Sequence, residues 1–264
     1  MLKEFIVSSP LFGITSALRD WIDINRSFFF YPPAGPGQME ARCGTILIAS
    51  IGEGTFVDVG AHIGSVIAAV RRRRPMAQLV AVEADPHKAS SLNRRFPNVI
   101  VHAVAIGDKV GEAKFFIDPQ RPGYSSTTDR ESNRSSITVP LTTLDDLLLG
   151  IDDVDVIKID IEGAEPEAIA GAVNILQTIQ PLVYFESAIN PGDRPEQIYH
   201  RLSQLRYEIY LPSRLAHDAP PMSEHGFLEA HLPPRRTINF FAVHAERRNE
   251  FRDRARHILG LSLS

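Results

Sequence analysis

Apolar positions along the chain occur in short continuous runs and in longer stretches with helical spacing. The short runs are rich in β-branched and aromatic residues, which is typical of buried strands. They cover residues 55–57, 79–82, 99–104, 154–159 and 182–185. Helical spacing is found at residues 63–70, 87–96, 144–149, 166–180 and 195–205. Because the two kinds of segment alternate, the pattern predicts an α/β fold with a parallel sheet and helices on both faces.

The beginning of the chain departs from this alternation. Residues 1–50 place apolar side chains at roughly helical spacing, with a break rich in Pro and Gly at residues 32–37. This pattern predicts a helical lead-in that packs on a main domain of residues 51–264. A chain of 264 residues is long enough for one large α/β domain with such an appendage.

Two further departures lie within the main domain. Residues 113–117 and 137–141 are predicted to be extended, the first as an extra edge strand, and the polar stretch 119–136 separates them. That stretch is longer than an ordinary connector, which favours a functional loop. Two closing strands are predicted at residues 207–211 and 238–244, separated by a loop rich in Pro and His.

The first predicted strand runs into a glycine turn, TFVDVGAHIG at residues 55–64. Gly60 and Gly64 allow the backbone to approach a ligand, and the helix that follows presents free N–H groups and a positive dipole end. A tight turn that binds nothing is the alternative. Asp58 precedes the glycines, and Ala61 stands beside Gly60 where a dinucleotide site would bring a second glycine. The turn therefore favours a ligand with an α-amino group over a pyrophosphate.

Four predicted strands end in an acidic residue: Asp58, Glu83, Asp160 and Glu186. The carboxyl ends of parallel strands meet at one edge of a sheet, which is where such sheets bind ligands. Glu83 closes the second strand, a position from which a carboxylate accepts hydrogen bonds from both ribose hydroxyls of a nucleoside. Helix capping is the alternative role for each residue. Together they predict an anionic rim suited to S-adenosylmethionine, which carries an amino group, a sulfonium and a ribose.

Six segments of the chain also match one protein family in order. They are FVDVGAHIG (56–64), VEADP (82–86), AVAIGDKVGEAKFF (103–116), VPLTTLDDLL (139–148), VIKIDIEGAEPEAIAGA (156–172) and PLVYFE (181–186). The chain resembles the FkbM-like family of S-adenosylmethionine-dependent methyltransferases, with KIDIEGAE as the most specific match. The resemblance implies a Rossmann-like class I methyltransferase fold, whose seven-stranded, mostly parallel sheet has an antiparallel last strand.

The resemblance also implies roles for individual residues. The cofactor-binding positions would be Asp58, Gly60, Ala61, His62, Gly64, Glu83, Ala84, Val104, Ala105, Asp108 and Asp160. In this set the glycine turn lines the amino-acid end of the cofactor, and Glu83 holds the ribose. The stretch from Val104 to Asp108 borders the adenine, with hydrogen bonds from the backbone or from Asp108 because Val104 is apolar.

Methyl transfer to a hydroxyl requires a group that removes or acidifies the proton. Asp160, Glu162 and Glu186 are the predicted catalytic residues, because they end neighbouring strands beside the expected cofactor. Asp160 and Glu186 could bind the hydroxyl, act as a base with its orienting partner, or hold Mg²⁺. Capping and dipole stabilisation of the next helix are the alternatives. Tyr124 and Ser125 of the polar stretch are predicted to contact the acceptor together with Glu162 and Glu186.

The overall composition of the chain limits which binding partners are expected. A net charge of −4 gives no general reason to expect nucleic acid or a membrane surface. Cys43 is the only cysteine, so neither an internal disulfide nor a cysteine-based zinc site is expected. His217, His225 and His231 are spaced too irregularly for a metal site and are predicted to lie on the surface. A cytoplasmic protein, monomeric or a homo-oligomer, is the expectation.

The favoured function is S-adenosylmethionine-dependent methylation of a hydroxyl on a small molecule, such as a sugar or a polyketide-type natural product. One alternative is N- or C-methylation of a natural-product precursor. Another is a nucleoside- or NAD-binding Rossmann module without methyl transfer, against which the missing second glycine counts. The acidic rim favours a polyol or an amine over an anionic acceptor.

Overall fold

Seven strands pair into one central sheet. The structure, a computed structural model, describes residues 35–117, 135–189, 193–233 and 236–261. The strands are β1 (Thr55–Val59), β2 (Leu79–Val82), β3 (Ile100–His102), β4 (Ala105–Ile106), β5 (Gly111–Ile117), β6 (Ser135–Thr142), β7 (Val154–Ile159), β8 (Leu182–Glu186), β9 (Tyr207–Tyr210) and β10 (Asn239–His244). The helices are α1 (Pro36–Ile51), α2 (Ser65–Arg73), α3 (Pro86–Arg95), α4 (Leu144–Leu147), α5 (Glu165–Ala170), α6 (Val173–Thr178), α7 (Pro195–Gln204), α8 (Pro212–Ala216), α9 (Glu224–Ala230) and α10 (Arg248–Ile258).

The central sheet has the strand order β3-β2-β1-β7-β8-β10-β9. Strands β3, β2, β1, β7 and β8 are parallel, and β10 is antiparallel to both β8 and β9. The predicted seven-stranded sheet with an antiparallel last strand is therefore confirmed. The chain leaves β1 toward β2 and β3 and returns on its other side as β7, so strand order reverses beside β1. Open α/β sheets bind ligands at that point.

Both faces of the sheet are covered, which is why its central strands are apolar at successive positions. On one face Val57, Ile157 and Phe185 pack with apolar side chains of α5, α6, α7 and α9. On the other face Phe56 and Val156 pack with apolar side chains of α1, α2, α3 and α10. Asp58 and Lys158 lie near the carboxyl ends of β1 and β7, where the site lies, whereas Thr55 and Asp155 lie near the opposite ends of the same strands.

Only the last part of the predicted lead-in lies within the described residues. Helix α1 packs against the main domain through Leu47 and Ile48, which are fully buried in the core. Residues 1–34 lie outside the described residues, and the predicted boundary near residue 50 stays a prediction. Like every other helix in the described ranges, α1 is too short or too polar to cross a membrane.

The extended segment at residues 113–117 pairs differently from the prediction. Instead of adding an edge to the central sheet, β5 joins a separate three-stranded sheet of order β4-β6-β5. Strand β5 is antiparallel to β6, and Phe115 and Val139 form a small apolar cluster with Ala105. This sheet covers one side of the carboxyl edge, so it contributes a wall to the site.

Two predictions for helices were wrong. The predicted helix 166–180 is divided into α5 and α6 at residues 171–172, where a side chain at Gly171 would meet the carbonyl oxygen of Gly107 at 2.1 Å. Asp145 then begins α6 by accepting hydrogen bonds from the backbone N–H groups of Asn174 and Ile175. The predicted loop between the closing strands contains helices α8 and α9.

The surface location predicted for three histidines holds for two of them. His217 and His225 are exposed. His231 is buried, packs on Phe227 and Phe240, and hydrogen-bonds through both ring nitrogens. It follows α9, an element that the Pro- and His-rich composition concealed.

Candidate active site

A cavity opens at the carboxyl ends of β1, β2, β7 and β8. Its volume is about 890 Å³, which includes space open to solvent. The residues that line it are Val59, Gly60, His62, Val82, Glu83, Ala84, Lys88, Val104, Ala105, Ile106, Phe115, Asp160, Ile161, Glu162, Ala164 and Glu186. The cavity thus brings together most of the predicted cofactor-binding residues and all three predicted catalytic residues.

Four predicted cofactor-binding residues do not line the cavity. Ala61 and Gly64 are buried within the glycine turn and its junction with α2. Asp58 is buried beneath the cavity floor, and Asp108 is exposed beyond its rim. Their influence on a ligand in this cavity would therefore act through the residues that do line it.

The glycine turn is held tightly against both neighbouring strands. The backbone N–H groups of Gly60 and Ala61 donate to the carbonyl oxygen of Val82, at 2.9 and 3.0 Å. Gly60 has φ +80°, and a Cβ there would meet the carbonyl oxygen of Asp160 at 1.9 Å. Only glycine fits this left-handed, crowded position. The turn therefore lies directly between β2 and the end of β7, where it forms the cavity floor.

Glu83 is fixed by hydrogen bonds from two backbone N–H groups. One carboxylate oxygen accepts from the N–H of His62 at 2.8 Å, and the other accepts from the N–H of Asp85 at 2.9 Å. Burial raises the pKa of Glu83, and the two backbone hydrogen bonds oppose that shift. Each oxygen keeps a second lone pair, so this carboxylate can accept two more hydrogen bonds from one ligand.

The wall next to Glu83 is apolar. Val82, Val104, Ala105 and Ile106 lie on it, and Phe115 reaches it from the small sheet. Such a surface suits a flat heteroaromatic group. The sequence-based prediction missed Phe115, because its place depends on how β5 pairs rather than on any local pattern.

Lys158 is a second residue that the prediction missed. It stands opposite Asp58 in the pairing of β1 with β7. Its Nζ lies 3.1 Å from Asp58 Oδ1 and 3.2 Å from Asp160 Oδ2. Burial alone would lower the pKa of Lys158, but the charges of Asp160 and Asp58 outweigh it and raise that pKa. Burial raises the pKa of Asp58, and Lys158 opposes that shift.

Asp160, Glu162 and Glu186 form an acidic cluster at the cavity mouth. One carboxylate oxygen from each lies within 4.8 Å of the others. Burial raises the pKa of Glu186 to about 9, and the charges of Asp160 and Glu162 add to the rise. Burial and these charges thus favour the protonated form of Glu186, in which the carboxyl group can both donate and accept hydrogen bonds. Hard carboxylate oxygens in this number are also suitable ligands for Mg²⁺.

The turn that carries Glu162 is held in place by Glu165. Glu162 and Gly163 have φ of +56° and +103°. The buried carboxylate of Glu165 accepts from the N–H of Ile161 at 3.0 Å and of Gly163 at 2.9 Å. Burial raises the pKa of Glu165 to about 7. Glu165 thus caps this strained turn.

A second, smaller cleft adjoins the cavity. It shares Glu162 and Glu186 with the cavity. Ser187 lines it and is held by His231 Nε2 at 3.1 Å. His231 Nδ1 lies 2.9 Å from the Phe227 carbonyl oxygen, which can only accept, so Nε2 accepts from the Ser187 hydroxyl. Tyr124 and Ser125, which were predicted to contact an acceptor, lie outside the described residues.

The fold and the site together define the class of protein. A sheet with one antiparallel last strand, a glycine turn after β1 and a carboxylate at the end of β2 are features of class I methyltransferase domains. The model of the family described as "Methyltransferase FkbM domain" matches residues 58–227. The chain belongs to this family. The predicted family, fold class and class of S-adenosylmethionine-dependent methyltransferase are thereby confirmed.

Several solved structures are similar to this chain at low sequence identity. A methyltransferase FkbM from Methylobacillus flagellatus KT is 19% identical, with a TM-score of 0.45 over 73% of this chain and 44% of that chain. This chain therefore corresponds to less than half the length of that protein. A TehB-like SAM-dependent methyltransferase from Corynebacterium glutamicum ATCC 13032 Kitasato is 12% identical, with a TM-score of 0.40 over 89% and 98% of the two chains. None of the curated proteins matches this chain.

Proposed function

We propose that the protein transfers the methyl group of S-adenosylmethionine to a hydroxyl oxygen of a small molecule such as a sugar or a polyketide-type product. The observation that carries the proposal is the position of Glu162 and Glu186. They lie on the wall shared by the large cavity and the smaller cleft. A donor in the first and an acceptor in the second would meet beside these carboxyl groups.

The lining of the cavity supports a defined orientation for the cofactor. The two oxygens of Glu83 would accept the ribose hydroxyls, because the backbone already fixes that carboxylate. The adenine would lie on the apolar wall that includes Val104 and Phe115. The amino-acid end would then extend over Gly60 toward Asp160. In this orientation the sulfonium approaches the acidic cluster, whose negative charge suits it.

The acidic cluster supports an acceptor that is neutral or cationic. Methyl transfer needs an acceptor lone pair aligned with the sulfonium methyl, and a hydroxyl must lose its proton during transfer. Protonated Glu186 would orient the hydroxyl through a hydrogen bond, and the ionised carboxylates beside it would receive the proton. An anionic acceptor would be repelled, as would nucleic acid. Among acceptors other than a hydroxyl, an amine is the most compatible with the negative charge of the acidic cluster.

Mg²⁺ is a second candidate occupant of the acidic cluster. The convergence of Asp160, Glu162 and Glu186 within 4.8 Å favours it. These three residues would hold the ion, which would supply Lewis-acid activation of the acceptor hydroxyl. Chelation with EDTA and re-addition of Mg²⁺ distinguishes the two versions, because only the metal-assisted reaction would lose and regain its rate.

The test separates donor binding from turnover with two variants. Glu83→Ala should weaken S-adenosylhomocysteine binding by at least about tenfold, since two charge-assisted hydrogen bonds to the ribose are lost. Glu186→Gln should bind S-adenosylhomocysteine normally and transfer labelled methyl to a panel of polyols and amines far more slowly. Glu112→Gln, at an exposed position of β5, is the matched control and should behave like the unmodified protein. Equal affinity in Glu83→Ala and the unmodified protein would contradict the ribose assignment.

A further inference from the structure

Lys158 lies beneath the cavity between two carboxylates of different exposure. Its side chain is only 8% exposed, that of Asp58 is 1% exposed, and that of Asp160 is 35% exposed. The pairing of β1 with β7 places Lys158 beside Asp58. Asp160 follows two positions later on the same chain, so its side chain leaves the strand end on the same side of the backbone. The lysine therefore links a fully buried charge to one on the cavity wall.

The charges in this group do not cancel. One lysine faces two aspartates, and the carboxylate oxygens of Asp58 form no hydrogen bond within the described residues beyond their ion pair with Lys158. A buried carboxylate needs such a partner, because desolvation of an unpaired ion is very costly. Lys158 and Asp58 thus neutralise each other under the floor. The remaining negative charge is that of Asp160, which faces the cavity.

We propose that Lys158 is a positioning residue that holds the Asp160 carboxylate in place for the α-amino group of the cofactor, with Asp58 acting only through the lysine. This inference rests on the proposed function, because it assumes that S-adenosylmethionine occupies the cavity. It changes the role given to Asp58 by the family resemblance. In the structure Asp58 supports the ligand-facing carboxylate from below instead of lining the amino-acid end itself.

A purely structural role would not require the second ion pair. Asp160 is partly exposed and would be hydrated without the lysine, so folding alone needs only the pair between Lys158 and Asp58. The ion pair of Lys158 with Asp160 restricts the rotamer of a side chain that is 35% exposed at a strand end. A pre-oriented carboxylate binds a cation more tightly, because its conformational entropy is already lost.

Two variants that differ only at Lys158 isolate its contribution. Asp58→Asn removes the buried charge and leaves the ion pair between Lys158 and Asp160. Asp58→Asn/Lys158→Met removes the lysine as well and leaves no unpaired charge in the core. Binding is measured with S-adenosylhomocysteine and with 5′-deoxy-5′-methylthioadenosine, which has the same nucleoside and lacks the amino-acid end.

Asp58→Asn is the reference for the double variant, because it retains Lys158 and the ion pair of Lys158 with Asp160. The double variant should lose at least about tenfold in affinity for S-adenosylhomocysteine, as expected for a disrupted charge-assisted contact, and keep its affinity for methylthioadenosine. Asp160→Asn should reproduce this selective loss. Rescue by Asp58→Asn/Lys158→Arg would further support the role of the cation.

Three outcomes would overturn the inference. Equal S-adenosylhomocysteine affinity in the single and double variants would show that Lys158 positions nothing. A parallel loss of both ligands would show a structural role alone. A full loss in Asp58→Asn would show that Asp58 contacts the amino group directly. If the unmodified protein binds neither ligand, the proposed function itself fails, which is a result distinct from these three.

Discussion

At the scale of single residues, the site is distinguished by carboxylates in unlike surroundings. Glu83 is held by two backbone N–H groups, and Asp58 is held by a lysine. Glu186 instead faces Asp160 and Glu162, so burial and like charges together favour its protonated form. The same residue type can therefore hold a ribose, balance a buried cation or orient an acceptor hydroxyl, according to its neighbours.

The raised pKa of Glu186 predicts a specific dependence of stability on pH. Its pKa rises from 4.5 to about 9 on folding, so the folded state binds more protons than the unfolded state between these values. The free energy of unfolding therefore falls as pH rises from about 4.5 to 9. Glu186→Gln removes this titration, so its melting temperature relative to that of the unmodified protein should increase between pH 6 and pH 9.

Differential scanning fluorimetry at pH 6 and pH 9 measures this difference. The gap between Glu186→Gln and the unmodified protein should be larger at pH 9 than at pH 6. Glu112→Gln controls for the loss of a carboxylate at an exposed position. A gap that is equal at both pH values would show that Glu186 does not titrate in this range.

Local sequence signals were sufficient to predict the residues at the strand ends. Gly60, Glu83 and Glu186 each follow a short apolar run, and all three line the cavity. Lys158 and Phe115 could not be predicted in the same way, because they reach the site through strand pairing. A lysine within an apolar run is a signal that could have identified Lys158, since such a charge requires a buried partner.

At the scale of elements, the turn between β1 and α2 depends on two crowded glycines, Gly60 and Gly64. Gly60 combines a left-handed φ with close contact to the end of β7. The acidic turn after β7 has a similar left-handed conformation at Glu162 and Gly163, where Glu165 caps it. Both turns line the cavity, and Gly60 packs directly against the end of β7.

Comparison of Gly60→Ala with Gly150→Ala should separate the energetic cost of steric crowding from the cost of backbone strain. A Cβ at Gly60 would lie 1.9 Å from the carbonyl oxygen of Asp160, whereas Gly150 has φ +85° and nothing within 4 Å of a Cβ. Gly150→Ala therefore carries only the conformational cost, about 1 kcal/mol. Gly60→Ala should be destabilised by at least about 2–3 kcal/mol and should lose ligand binding.

Urea denaturation of both variants tests this expectation. The comparison is direct because both glycines have nearly the same φ. Equal loss of stability in the two variants would show that the turn and the end of β7 can separate at little cost. The close packing of the glycine turn would then not define the cavity floor.

The apolar spacing of residues 166–180 predicts one helix, and this prediction is wrong. The apolar spacing continues through the stretch, yet α5 ends at Ala170 and α6 begins at Val173, on either side of the close approach of Gly171 to Gly107. The loop predicted before β10 likewise contains α9, whose Phe227 lies in the core. In both cases tertiary contacts outweigh local preference.

At the scale of the whole molecule, the cavity joins the two halves of the central sheet. Glu83 and the apolar wall belong to the half that contains β2, and Asp160 and Glu186 belong to the half that contains β7 and β8. The small sheet adds Phe115. A ligand that fills the cavity would contact all three parts, so its binding energy should add to the stability of the domain as a whole.

This linkage distinguishes S-adenosylmethionine chemistry from a nicotinamide site. S-adenosylhomocysteine at 100 times its dissociation constant should stabilise the protein by about 2.7 kcal/mol, which raises the melting temperature by about 5–10 °C. NAD should cause no shift, because its pyrophosphate would approach Glu83 and Asp160, and the glycine turn offers no second glycine to receive it. Thermal unfolding with each ligand over a concentration series measures both effects. Stabilisation by NAD without stabilisation by S-adenosylhomocysteine would favour a dinucleotide-binding module and reject methyl transfer.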